Sequence, residues 1–183
     1  VSVSITNEIS CYDSSDGSAW INATGGNGPY VYNWEVLGLP NISIGTNQSI
    51  GSLGPNTYIG IATDDLGCIG KAPVNLIAPS SIATETDTVI NESCAGYCDG
   101  EIAFSALGGT GSLSYLWDDP NAQTTNSATG LCAGSYIVTI TDDNGCTKTN
   151  SNNPYIIDSN YPINLTVNKN HVTCRGGGDG GIN

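Results

Sequence analysis

Short runs of alternating apolar and polar residues recur along the chain. In "SAWINA" (18–23), Ala19, Ile21 and Ala23 fall on one face. In "YVYNW" (30–34), Tyr30, Tyr32 and Trp34 do the same. The pattern returns in "EIAFSA" (101–106), with Ile102, Phe104 and Ala106, and in "LSYLW" (113–117), with Leu113, Tyr115 and Trp117. Clusters of Gly, Asn, Asp and Pro separate these runs, and no 3.6-residue apolar period is sustained. Period-two runs of this length, bounded by turn residues, predict half-buried strands of β-sandwiches.

The runs belong to an internal repeat. "CYDSSDGSAWINATGGNGPYVYNW" (11–34) aligns without gaps on "CAGYCDGEIAFSALGGTGSLSYLW" (94–117), and "LGPNTYIGIATDDLGC" (53–68) aligns on "LCAGSYIVTITDDNGC" (131–146). The first alignment is offset by 83 residues and the second by 78, so the second copy is shorter between the blocks, in what reads as a loop around residues 36–46. "CRGGGDGGIN" (174–183) opens a third copy. The expected organisation is one repeat over 1–83, a second over 84–163, and the first strand or strands of an incomplete third over 164–183. Two full copies and part of another predict a stretch of a longer array.

Each copy carries the landmarks of an immunoglobulin-like or fibronectin-III-like sandwich. A tryptophan lies on strand C (Trp34, Trp117). A tyrosine opens strand F (Tyr58, Tyr136) five residues after a leucine (Leu53, Leu131), the spacing of a tyrosine corner. "TDDLG" and "TDDNG" read as the F–G turn, with Gly67 and Gly145 supplying the positive φ of a hairpin. Asp16-Gly17, Asp99-Gly100 and Asp179-Gly180 precede strand B and read as turns with a left-handed glycine. Gly25-Gly26 and Gly108-Gly109 punctuate the B–C link. The fold class is therefore all-β, with tandem sandwiches arranged head to tail.

Composition narrows the function. The chain has 183 residues, with 17 acidic and 4 basic side chains and a net charge of −13. Nucleic acid is excluded as a partner, because neutralising phosphates requires Lys and Arg. Hydrophobic residues make up 38%, which supports small cores and argues against disorder. No apolar run has the length of a membrane-spanning helix, so membrane insertion is not expected. Seven cysteines point to an oxidising, extracytoplasmic setting.

"CAGYCDG" (94–100) poses the question of what those cysteines do. Zinc needs four ligands, and the chain has one histidine, His171, and no second cysteine knuckle. A thioredoxin-like pair needs two intervening residues and a following helix. Disulfides remain. Cys98, in the A–B loop, and Cys132, in the E–F corner, lie at one pole of the sandwich and are the two cysteines without counterparts in the first repeat, so they are expected to pair. The recurring cysteines leave two pairings open. Cys11 and Cys94 lie at the A–B pole, while Cys68 and Cys146 follow the F–G turn at the other pole, a seven-residue strand or roughly 23 Å away. A disulfide needs Cα atoms within about 7 Å. In a head-to-tail rod, the A–B pole of the first repeat faces the F–G pole of the second, which makes Cys11–Cys146 an inter-repeat staple. Cys68, Cys94 and Cys174 would then bond to repeats outside this chain. The alternative pairs Cys11 with Cys68 and Cys94 with Cys146 inside each repeat and leaves Cys174 over.

Other chemistry has less support. There is no nucleophile elbow and no recurring histidine, so an enzyme is not expected. The pairs Asp64/Asp65 and Asp142/Asp143 recur in a hairpin turn, where Asp caps its own backbone. No organic cofactor is implied. Calcium is the metal candidate: stacked poles would bring Asp13 and Asp16 near Asp142 and Asp143, and the ion takes six to eight oxygens. Trp20 should point outward from strand B, where the second repeat has Ala103, and could stack on a sugar face.

The frame "C…DG…GG.G…Y.W" followed by "L…(S/T)Y….TDD.GC" resembles the SprB-type repeat of gliding-motility adhesins in Bacteroidota, over both repeats and the start of the third. The resemblance implies a long cell-surface filament built from many such repeats. It implies export by the type IX secretion apparatus, movement by the gliding machinery, and an extracellular substratum or polysaccharide as the external partner. Neighbouring repeats of the same chain are the internal partners. The chain departs from the pattern at Gly54-Pro55-Asn56, where the family places a Gly two residues before the Tyr, and at Cys98 and Cys132. "DTV" (87–89) resembles the O-glycosylation acceptor of secreted Bacteroidota proteins and makes Thr88 a glycan candidate. The alternative function is a spacer or carbohydrate-binding array of a large secreted hydrolase.

Overall fold

Ala19 and Ile21 are wholly buried, Trp20 between them and Asn22 after them are exposed, and this alternation turns one face of β2 (Gly17–Asn22) into the core of the first repeat. The computed structural model describes residues 1–150, 153–159, 166, 169–170 and 181–182. In it, β2 lies between β1 (Ser2–Asn7) and β5 (Ser49–Leu53), forming an A–B–E sheet. Facing it is a four-stranded sheet in the order β4 (Leu39–Gly45), β3 (Val31–Val36), β6 (Asn56–Thr63), β7 (Ile69–Leu76). All pairings are antiparallel.

Trp34, on strand C (β3), fills the space between the sheets with Ala19, Ile21, Leu53, Tyr58, Val74 and Leu76. Its indole N–H donates to the Asn47 carbonyl at 2.9 Å, so the largest buried side chain leaves no polar atom unpaired. The Tyr58 hydroxyl donates to the Gly54 carbonyl at 3.0 Å and ties the E–F crossover.

The second repeat reproduces this plan, with shorter strands in the facing sheet. β8 (Ala83–Ile90), β9 (Gly100–Leu107) and β11 (Ser127–Leu131) form its A–B–E sheet. β10 (Ser114–Trp117), β13 (Val138–Thr141) and β14 (Thr147–Thr149) form the facing sheet. β12 (Gly134–Tyr136) and β15 (Tyr155–Ile157) continue strands F and G as a separate pair. Strand F is broken at Ile137, whose N–H goes to Asp118 Oδ1, and the Val138 N–H goes to Asn150 Oδ1 instead of a strand carbonyl. Trp117 donates to the Thr125 carbonyl and Tyr136 to the Cys132 carbonyl, both at 2.9 Å, matching the bonds of Trp34 and Tyr58. The second core is more aromatic: Phe104 packs against Tyr115, Trp117 and Tyr155 with ring centroids 5.7–6.1 Å apart. The two-residue strands β16 (Lys169–Asn170) and β17 (Gly181–Ile182) pair with each other.

Two expectations need correction. The stretch around 36–46 is an edge strand, β4, rather than a loop, and no counterpart to it occurs among the described residues of the second repeat. Gly17 and Gly100 do not adopt positive φ. They open the B strands at buried positions where a Cβ would stand 2.9 Å from the Leu53 carbonyl oxygen and 2.8 Å from that of Leu131. Glycine is needed there for close approach to strand E. Gly67 and Gly145, by contrast, carry φ of 82° and 81° at the F–G turns. Gly180 lies outside the described residues.

Candidate functional site

The site is the joint between the repeats, built from an A–B loop and an F–G turn. The loop of the first repeat is closed by two bonds: Asp16 Oδ1 accepts the Ser10 N–H at 3.1 Å, and the Ser14 N–H donates to the Cys11 carbonyl at 3.1 Å. The second repeat repeats both. Asp99 Oδ1 accepts the Ser93 N–H at 2.8 Å, and the Tyr97 N–H donates to the Cys94 carbonyl at 3.1 Å. In each loop the acidic member of the Asp-Gly pair fixes the backbone that presents the recurring cysteine.

The turn is organised around a second aspartate. Asp142 Oδ1 accepts the N–H groups of Asn144 and Cys146 at 3.0 and 2.8 Å, while Oδ2 accepts the Thr110 N–H at 2.8 Å. Asp64 does the same with Leu66 and Cys68 at 3.0 and 2.8 Å and with Asn27 at 3.1 Å. One carboxylate thus caps its own turn and pins the B–C loop beside it. At Asp64 the N–H groups of Asn27 and Cys68 hold the carboxyl below its ordinary pKa of 3.8, against burial. At Asp142 burial alone would push the carboxyl up, but the N–H groups of Thr110, Cys146, Asn144 and Gly145 together bring it below 3.8. Hydrogen bonds to the charged form produce this sign.

Loop and turn meet in a disulfide. Cys11 of the first repeat is bonded to Cys146 of the second, with Cα atoms 5.7 Å apart across a sequence separation of 135 residues. Asn144 Nδ2 also donates to the Ser10 carbonyl at 3.0 Å. A cleft of about 600 Å³ lies beside the bond, with Tyr12 and Asp13 from one repeat and Gly109, Asp142 and Lys148 from the other. The intra-repeat alternative, Cys11–Cys68 with Cys94–Cys146, is not the arrangement of the structure. Cys68 and Cys94 are exposed free thiols, and Cys174 lies outside the described residues.

Cys98 and Cys132 are bonded to each other within the second repeat. Sequence reasoning missed Glu92 beneath them. It is 1% exposed, at the position of the buried Ile9 in the first repeat. Its carboxylate accepts the Gly96 and Cys98 N–H groups at 3.3 and 3.2 Å. An acidic residue at an otherwise apolar repeat position was the available signal. The Glu92 carboxylate and the two sulfurs lie within 4.8 Å of one another, but sulfurs bonded to each other are not thiolate ligands.

The calcium candidates Asp13, Asp16, Asp142 and Asp143 are not brought together as a group of three or more ligand atoms within 4.8 Å. Asp16 and Asp142 are engaged as above, and Asp143 Oδ2 accepts the Ser112 N–H at 2.9 Å. Trp20 is 39% exposed on β2, opposite Ser4 and Ser49. Thr88 is exposed on β8, paired with Ala103. His171 lies outside the described residues.

Among solved structures, the chain is similar to the three N-terminal domains of the bacteriophage RB49 highly immunogenic outer capsid protein, at 14% identity over 85% of this chain and 59% of that one, with a TM-score of 0.46. It is similar to the C-terminal 282-residue fragment of intimin in complex with the translocated intimin receptor's intimin-binding domain, at 13% identity over 80% and 61%, TM-score 0.41. It is also similar to the fibronectin(III)-like modules of Clostridium thermocellum CbhA, at 12% identity over 87% and 94%, TM-score 0.32. The chain thus spans about three fifths of the first two structures. A comparison with curated proteins gave no match. The family model of the SprB repeat matches residues 3–36 and 86–122, the stretch from strand A through strand C of each copy. The same core tryptophan, tyrosine corner and Asp-capped turn recur in both copies, and the two matched stretches are similar to the SprB repeat.

Proposed function

We propose that the chain is a structural and adhesive segment of a long cell-surface filament used in gliding motility and surface attachment. It is exported by the type IX apparatus, moved by the gliding machinery, and presented to an extracellular substratum or polysaccharide. The observation that carries this reading is the Cys11–Cys146 bond, which locks one SprB repeat to the next. A covalent link between repeat ends suits a filament under tension, because it keeps the joint closed when the ends are pulled. An acidic surface with 4 basic residues also offers few sites to trypsin-like proteases. Among the described residues no helix is long and apolar enough to cross a membrane.

The test uses antibody raised against the purified chain. On intact cells of the source organism it should label the outer surface, and antibody-coated beads should be carried along the cell. Labelling confined to permeabilised cells would overturn the reading.

The exposed indole of Trp20 supports a second reading, a carbohydrate-binding array in a large secreted hydrolase. Polysaccharide binding by the purified chain that is lost in Trp20→Ala would favour it, because a stacking indole is the contact such a site depends on.

A further inference from the structure

We propose that Cys68 and Cys94 are open half-joints, each shaped to receive a further copy of the same repeat through a disulfide of the Cys11–Cys146 kind. The partner is therefore another SprB repeat, docked end to end. This deepens the filament reading and rests on it.

The argument is one of equivalence. The Cys11–Cys146 joint has a loop half and a turn half, and the described residues hold one unused copy of each. The unused loop half is residues 93–99. Its two closing bonds, Ser93 to Asp99 and Tyr97 to Cys94, match those that present Cys11. The unused turn half is residues 64–68. The Asp64 N–H donates to the Cys68 carbonyl at 3.1 Å, as Asp142 does to Cys146 at 3.0 Å, and the capping bonds of the two carboxylates match in kind and length. Both turns place their cysteine one residue after a glycine at φ near 80°.

The surroundings match as well. Gly109, Asp142, Cys146 and Lys148 line the cleft that Tyr12 and Asp13 enter. Their counterparts Gly26, Asp64, Cys68 and Gly70 line a recess of about 190 Å³ beside Val1. The recess is the turn half of a joint without its loop half. The same cysteine positions are bonded where the chain supplies both halves, and exposed where it supplies one. The halves differ at one contact. Asn144, which donates to Ser10, is replaced by Leu66, 71% exposed, so the outer joint has an apolar contact in that place.

Bond formation needs an oxidant, and a small-molecule disulfide supplies it. The Cys68 thiolate attacks oxidised glutathione, forming a mixed disulfide and releasing one glutathione thiolate. The Cys94 thiolate of the next copy displaces the second glutathione. Two protein thiols lose two electrons and two protons, and one glutathione disulfide becomes two thiols.

The test uses the full 183-residue chain carrying Cys174→Ser, concentrated in a glutathione redox buffer and mapped by non-reducing peptide mass spectrometry. The expected inter-chain link is Cys68–Cys94, exceeding either symmetric pair by more than about tenfold, which corresponds to about 1.4 kcal/mol of end-to-end preference. Cys68→Ser or Cys94→Ser should each abolish the head-to-tail oligomers. A persistent monomer, or the three inter-chain pairs in random proportion, would overturn the proposal. Absence of the intra-chain Cys11–Cys146 peptide in the same map would instead strike at the filament reading itself.

Discussion

A Cβ placed on Gly54 would stand 4.0 Å from the Cβ of Ser15. These two positions in the first repeat correspond to Cys132 and Cys98 in the second, which are bonded. Disulfides have Cβ atoms about 3.5–4.5 Å apart, so the first repeat already holds the geometry for the bond that only the second possesses. Gly54 is not in the left-handed region, and a side chain there carries no backbone strain.

Ser15→Cys with Gly54→Cys, in a Cys68→Ser background to prevent mispairing, should therefore close spontaneously. The loop it closes is similar in length to the 34-residue separation of Cys98 and Cys132, for which chain entropy gives about 3–4 kcal/mol. In a repeat of this size that raises the melting midpoint of the first sandwich by more than about 10 °C. Thermal melting with and without reductant checks this. An oxidised midpoint equal to the reduced one would show that the loop does not hold its residues at these positions.

Asp64 and Asp142 contribute to the acid limit of the fold, together with Asp16, Asp99 and Asp119, whose carboxyls are also held below 3.8. The Asp64 and Asp142 carboxyls are held below 3.8 in the folded protein, so both bind a proton less readily folded than unfolded. Their contribution is fully present above the unfolded value of about 3.9 and is lost as pH falls through the lower folded value. The melting midpoint should be flat from pH 7 to 5 and decline below about pH 4. Asp142→Asn should lower the midpoint at pH 7, because the amide cannot accept all three N–H groups, and the gap to the parent chain should narrow toward pH 2.

Calcium should leave the joint unchanged. The oxygens of Asp142 accept the N–H groups of Asn144, Cys146 and Thr110, and Asp16 and Asp143 each hold a backbone N–H. An ion needing six to eight oxygens would have to displace those bonds. Melting in millimolar calcium and in chelator should agree within about 1 °C, since a ligand present far above its Kd shifts the midpoint by several degrees. A larger rise in calcium would place a metal at the joint.

What the sequence made legible follows from which constraints are local. Strand alternation put Trp34 and Trp117 inward and set the poles, and the poles put Cys11 opposite Cys146, the pair that is bonded in the structure. The role of Gly17 was misread because its constraint is the Leu53 carbonyl on another strand, invisible to a turn rule. β4 was hidden because its exposed Leu39, Ile42 and Ile44 make an edge without inward–outward contrast. The bonds from Asp64 to Asn27 and from Asp142 to Thr110 cross between loops, so the aspartates could be read as turn caps but not as ties between loops.

The joint also changes how tension travels. Force entering at Val1 reaches Cys11 and passes through the disulfide to Cys146, bypassing the 135-residue separation between them. Strands B through G of the first repeat and A through F of the second are outside that path. Of 183 residues, about 48 remain extensible, or about 160–170 Å at full stretch, against about 600–660 Å for the reduced chain. Single-molecule pulling from the two termini should reach the shorter limit when oxidised and the longer one in reductant, and Cys11→Ser should reach about 490–540 Å, because the Cys98–Cys132 bond still bypasses a 34-residue separation. The sandwiches themselves should give no unfolding steps from within the bypassed segment while the bond is intact. An oxidised chain that extends to the full length would mean that the Cys11–Cys146 bond is not the link that bears load.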